Sequence, residues 1–155
     1  MRLIAGALFC TLLMVGPANA ESLLGVWLHE NQRIHIEIFP CEDLFCGKIV
    51  WLKFPNDEQG NPITDIENPD PALRDRALMG LLLLQGLRQT GPRSWENGQI
   101  YNPDDGENYL ADMEMRADGT VDMRAYVLMP MLGKTLVWTP VDGPTFASDE
   151  MDRQP

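Results

Sequence analysis

Between residues 109 and 127 the chain alternates apolar and polar side chains in two successive runs, and a period of two admits little besides a β-hairpin. Tyr109, Ala111, Met113 and Met115 fall on one side of the first run, with Asp112, Glu114 and Arg116 on the other. Val121, Met123, Ala125 and Val127 repeat the pattern opposite Asp122 and Arg124. Successive strand side chains point to opposite faces, so each run has one apolar and one wet face. Ala117-Asp118-Gly119 joins the runs and places a glycine where a short hairpin connection needs positive φ.

The same rhythm predicts strands over 23–28, 33–39, 47–54, 81–88, 99–102, 109–116, 120–127 and 135–139. In the second, Ile34, Ile36 and Ile38 share a face while His35 and Glu37 take the other. The third carries Ile49, Val50, Trp51 and Leu52 in succession, so both of its faces are apolar and a cavity or double-sided packing is implied. Asp104-Asp105-Gly106 marks another tight turn. About eight antiparallel strands with one apolar face are most economically satisfied by closure, because a barrel leaves no open edge. The expected architecture is all-β, an up-and-down barrel, and a β-sandwich of the same strands fits the pattern as well.

Ahead of the first strand, Arg2 precedes an apolar run from Leu3 to Val15, then Pro17 and Ala18-Asn19-Ala20. That is the layout of a Sec-type signal peptide over 1–20, with the chain continuing from Glu21 as a periplasmic or secreted protein. Cys10 follows Phe9 inside the run, where a lipid-anchor signal wants a small residue, so it belongs to the discarded segment. No later stretch is apolar for the roughly 18 residues of a membrane helix. A single domain is expected over 21–141, with 142–155 as a flexible acidic tail.

Without Arg2 the chain holds 11 basic against 23 acidic residues, a net charge of about −12. Nucleic acid is a poor partner for such a surface. Cys41 and Cys46 remain as the two cysteines of an exported chain, with four residues between them, and are expected to form a disulfide. They lack the spacing and the second pair of a zinc site. His29 and His35 could meet Glu30 and Glu37 across a hairpin, but isolated histidines on a wet strand face are ordinarily solvated. No metal and no cofactor is expected. Ser22, Ser94 and Ser148 carry no hydrolase motif, and no catalytic residue is assigned.

One stretch breaks the rhythm. Residues 55–79 hold four prolines and many charges, too long for a turn and of the length that binding loops have. Within it Asp65, Asn68, Asp70, Arg74 and Arg76 form the best polar cluster, with a short helix expected over 71–76 and Asp70 at its N-cap. The cluster either binds a polar group or locks the loop over one barrel mouth, Arg74 or Arg76 bonding Asp65. Among apolar candidates Trp51, Tyr101, Tyr109 and Met113 are expected to line a pocket, Trp51 and Tyr109 foremost.

Several of these residues carry a family resemblance. Cys46-Gly47-Lys48-Ile49-Val50-Trp51-Leu52, Asn68-Pro69-Asp70-Pro71 with Leu73-Arg74 and Arg76, Trp95 with Gly98, Ile100-Tyr101, and Trp138-Thr139 resemble the secreted bacterial family catalogued as domain of unknown function 2147. The resemblance implies membership and no particular reaction. Pro140 stands where that family tends to have Arg, and Ala125 where it tends to have Gly. Gly25-Val26-Trp27 is also similar to the opening strand of lipocalin-like (calycin-like) barrels, where the Trp packs at the closed end beneath a basic residue. With Pro140 in the last strand, Lys134 or Arg124 would have to supply that residue.

Three functions follow as expectations. The first is a non-catalytic periplasmic binding protein for a small apolar or amphipathic ligand. The second is an envelope interaction module with a filled barrel, and the third an enzyme using Asp65 or Asp70 with Arg74.

Overall fold

The computed structural model describes residues 22–141. The expected signal peptide and acidic tail lie outside the described residues. Eight antiparallel strands close in chain order: β1 (Gly25–Leu28), β2 (Ile34–Cys41), β3 (Leu44–Leu52), β4 (Leu82–Gly91), β5 (Ser94–Asn102), β6 (Glu107–Met115), β7 (Val121–Tyr126) and β8 (Lys134–Pro140). The up-and-down barrel read from the periodicity is therefore the fold. Its β1–β8 seam is short, with Trp27 opposite Pro140 and Leu28 opposite Thr139. Two bonds outside the ladder extend it: Val141 N–H donates to Val26 O at 2.9 Å, and Val137 N–H to the Glu30 carboxylate at 3.0 Å.

Register irregularities decide which side chains enter the barrel. Across β2 and β3, His35 faces Trp51 while Ile36 faces Ile49, so Val50 is an extra residue on β3. Such a bulge shifts the alternation by one. Gly47 and Ile49 face inward below it, Leu52 is buried above it, and Trp51 is turned out. In β4, Lys48 faces Leu82 and Gly47 faces Leu84, leaving Leu83 extra and both Leu83 and Leu84 buried. In β5, Trp95 pairs Met113 and Gly98 pairs Ala111, with Asn97 at φ 63° inside the bulge and its N–H bonded to Asp112 at 3.1 Å. This bulge hides the first half of β5 from a period-two reading, which finds only 99–102.

The closed end is filled. Trp27, Trp95 and Trp138 pack with Leu84, Leu87, Met113, Met115 and Val121 in one buried cluster. Aromatic burial on this scale dominates the energetics of a small core. The Trp27 indole N–H donates to Leu23 O at 2.9 Å, which fixes the chain entry beneath the barrel. Neither Lys134 nor Arg124 covers Trp27, contrary to expectation. Lys134 borders the cavity at the other end, and Arg124 bonds Pro130 O and Thr135 Oγ1.

Cys41 and Cys46 are joined across the β2–β3 turn, with Cα atoms 5.8 Å apart. A loop this short contributes about 2 kcal/mol by restricting the unfolded chain. Replacing both cysteines by serine is expected to lower the unfolding free energy by about that amount in urea titrations, with no change in ligand uptake at the opposite end.

Candidate functional site

Above the packed layer the barrel is hollow. A cavity of about 510 Å³ opens between the β1–β2, β5–β6 and β7–β8 connections. Its volume lies in the range of about 300–1,000 Å³ common for small-molecule sites. Ile34, Ile36, Leu83, Ile100, Met123 and Leu136 supply apolar wall, while His29, Asn31, Tyr109, Asp104 and Lys134 bring polar groups to the rim. The three inward residues of β2 and the inward residues of β7 are those the alternation assigned to the inner face.

His29 continues the inward face of β1 beyond Trp27 and reaches the cavity beside Trp138, ring centroids 5.9 Å apart. Burial pushes its imidazole below the ordinary histidine range, outweighing the Asn31 hydrogen bond and the nearby Glu30 carboxylate, which act to raise it. The ring is neutral at pH 7. Its Nδ1 accepts from Asn31 N–H at 3.1 Å, which leaves the proton on Nε2. Tyr109 donates to Asp105 Oδ2 at 2.8 Å, and that carboxylate also takes Asn102 Nδ2 at 2.7 Å and Glu107 N–H at 2.9 Å. Asp105 is thus the organiser of the β5–β6 turn.

The other predicted site residues are placed elsewhere. Trp51 is corrected from pocket wall to outer surface: 40% exposed, it stacks on His35 at 4.4 Å because the Val50 bulge reversed its direction. His29 and His35 therefore lie on opposite sides of the sheet. Met113 is buried among the closed-end residues beneath the cavity. Tyr101 borders the cavity. It follows Ile100 in the alternation, however, and carries its ring to the outside, where the long β3–β4 connection covers it.

That connection is where the polar cluster converges. Asp65 has no exposed surface, and its Oδ1 accepts from Tyr101 Oη at 2.7 Å. Its Oδ2 takes Asn68 Nδ2 at 2.8 Å, Arg76 Nε at 2.8 Å and Arg76 Nη2 at 2.7 Å. Burial raises the Asp65 carboxyl, but the hydrogen bonds from Tyr101, Asn68 and Arg76 more than offset it and hold the group below the ordinary carboxylate range. Burial and the Asp65 carboxylate raise Tyr101 in turn, so the phenol keeps its proton. Asp70 caps the following turn through Ala72 N–H at 2.9 Å, and Arg74 Nε bonds Asn68 O at 2.7 Å.

The helix expected over 71–76 is a single 3-10 turn, Pro71–Leu73. It cannot continue, because Arg76 O accepts Asp65 N–H at 3.0 Å and Ala77 bridges Thr64. The loop straps the barrel wall and the β5–β6 turn. Gly106, at φ 73°, sits so close that a Cβ there would lie 2.1 Å from Glu67 O. Tyr101, Asp65, Asn68 and Arg76 thus act together as a clasp on the outer wall.

A closed eight-stranded barrel, plugged at one end and hollow at the other, defines a lipocalin-like protein. The chain belongs to the bacterial family described as "Uncharacterized protein conserved in bacteria (DUF2147)", which it matches over residues 25–140. Among solved structures it is similar to protein HP1028 from the human pathogen Helicobacter pylori, described as belonging to the lipocalin family. The two are 25% identical and superpose with a TM-score of 0.67, covering 77% of this chain and 83% of the other. No curated protein matches the chain.

Asp65→Asn should destabilise the protein by about 2–4 kcal/mol at pH 7, since the amide has a single acceptor oxygen for donors that converge on two and no charge to offset the Arg76 guanidinium. The lowered carboxyl contributes stability above its ordinary pKa of about 3.9 and loses it as pH falls through the lower folded value. Urea midpoints of the two proteins should therefore converge as pH falls below the ordinary carboxylate range and the Asp65 carboxyl takes up its proton. Gly106→Ala, forced against Glu67 at positive φ, should cost about 2 kcal/mol or more and speed proteolysis within the β3–β4 connection.

Proposed function

We propose that this protein is a non-catalytic carrier of a small apolar or amphipathic molecule, acting in the periplasm or outside the cell. The observation that carries the reading is the 510 Å³ cavity with an aliphatic wall and polar groups gathered at its rim. Such a site takes an apolar body inward and leaves a polar end at the mouth, where Tyr109, His29, Asn31 and Lys134 stand. The barrel's likeness to a lipocalin-family structure supports the same reading.

The hollow favours a carrier over an interaction module with a filled barrel. The enzyme reading is not favoured either. Both Asp65 oxygens are engaged by Tyr101, Asn68 and Arg76 outside the cavity, and Asp70 and Arg74 are held by the loop's own turn. Export is supported by the Arg2-to-Ala20 sequence pattern and by the Cys41–Cys46 bond, which suits an oxidising compartment. No described helix is long and apolar enough to cross a membrane.

An apolar fluorescent probe should bind the protein saturably. Ala125→Trp, which fills the cavity from β7, should weaken that binding by tenfold or more while the far-ultraviolet spectrum stays that of the barrel. Absence of saturable uptake by the unaltered protein would overturn the carrier.

A further inference from the structure

We propose that the β7–β8 loop docks the cavity mouth on a lipid bilayer bearing anionic headgroups. Residues 127–132 read Val-Leu-Met-Pro-Met-Leu, and Val127, Leu128, Met129, Met131 and Leu132 are 66%, 79%, 52%, 83% and 73% exposed. A contiguous apolar segment this exposed is uncommon on a monomeric surface and marks a contact site. Val127 and Leu132 also line the cavity, so apolar surface runs unbroken from the barrel interior to the loop tip.

The loop is held outward. Arg124 Nε bonds Pro130 O and its Nη1 donates to Thr135 Oγ1 at 2.7 Å, while Leu132 N–H returns to Met129 O at 3.0 Å. Gly133 passes so near β7 that a Cβ would lie 2.5 Å from Ala125 O. These ties fix the backbone against β7 and β8 and leave the side chains in water.

Charge identifies the occupant. The chain carries 23 acidic and 12 basic residues, yet none of the acids falls between Asp122 and Asp142, where Arg124 and Lys134 bracket the apolar tip. An apolar wedge flanked by cations, on a protein that is otherwise acidic, complements an anionic lipid surface: the side chains enter the acyl boundary and the cations meet the headgroups. Asp104 and Asp105 stand on the β5–β6 turn to one side, and Glu30, held by Val137 N–H, stands on the β1–β2 turn to the other, so the barrel rests on the β7–β8 loop tip between them. In that pose the cavity opens at the lipid, and an apolar ligand would pass between bilayer and barrel without crossing water. Docking itself needs no ligand in the cavity.

The test is flotation with vesicles of phosphatidylcholine, alone or with about one third phosphatidylglycerol. The unaltered protein, Leu128→Glu/Met131→Glu and Lys134→Gln are compared as purified from the same exporting host, with intact masses confirming that all three share one N-terminus. The unaltered protein should partition to the phosphatidylglycerol vesicles, and the double variant should lose tenfold or more of that partitioning. Lys134→Gln should lose about fivefold on the anionic vesicles and nothing on the neutral ones. Probe uptake in solution by the double variant shows that it is folded, and it reads the carrier function separately from docking. Equal partitioning of the unaltered and double-variant proteins would overturn the proposal. So would a protein that ignores both vesicles but forms a dimer abolished by the double variant, which would make the loop a self-association surface.

Discussion

The width of an eight-stranded closed sheet is fixed by strand number and stagger, so what the barrel contains depends on the size of the inward side chains at each level. Here the levels differ. Trp27, Trp95 and Trp138 occupy the closed end with methionine and leucine between them, and Trp138 is wholly buried. Towards the other end the inward positions pass to Ile36, Met123, Ala125 and Leu136, which cannot meet across the same width, and the remaining space is the cavity. Plug and hollow are one consequence of where the tryptophans fall along the strands. Among the described residues no acceptor lies within hydrogen-bond reach of the Trp95 and Trp138 indole N–H groups.

Much of this was legible in the alternation. The β6–β7 hairpin, the inner face of β2 and the number of strands follow from period two and turn chemistry, because β6 and β7 pair without a shift and the bulge beside β2 places its extra residue on β3. What the alternation could not show lies at the bulges. Val50 adds one residue to β3 and reverses Trp51, which the neighbouring residues alone would place inside. The extra residue near Asn97 splits β5 so that Trp95 and Gly98 share a face three positions apart, a spacing that reads as irregular. A bulge is a property of the pairing between two strands, and a single strand's sequence carries little trace of it.

The polar cluster shows the complementary limit. Asp65, Asn68, Asp70, Arg74 and Arg76 were recognisable as a group because their spacing suits a tight, capped turn. Their partner Tyr101 is supplied by β5, 36 residues beyond Asp65, and only the fold reveals that the cluster clasps the outer wall. Conversely His29, Asn31 and Lys134 border the cavity without any motif, as residues where an inward strand face meets a connection. Strands that alternate cleanly identify the interior, whereas the rim of a barrel is built from turns whose relative placement depends on closure.

The carrier reading makes a hollow barrel the central claim, and native mass spectrometry of the protein purified from its native cells addresses it most directly. The account predicts a discrete adduct that solvent extraction releases as one class of small apolar or amphipathic molecule, or an empty protein that takes up such a molecule stoichiometrically. A bare protein mass that no apolar or amphipathic molecule shifts would contradict it.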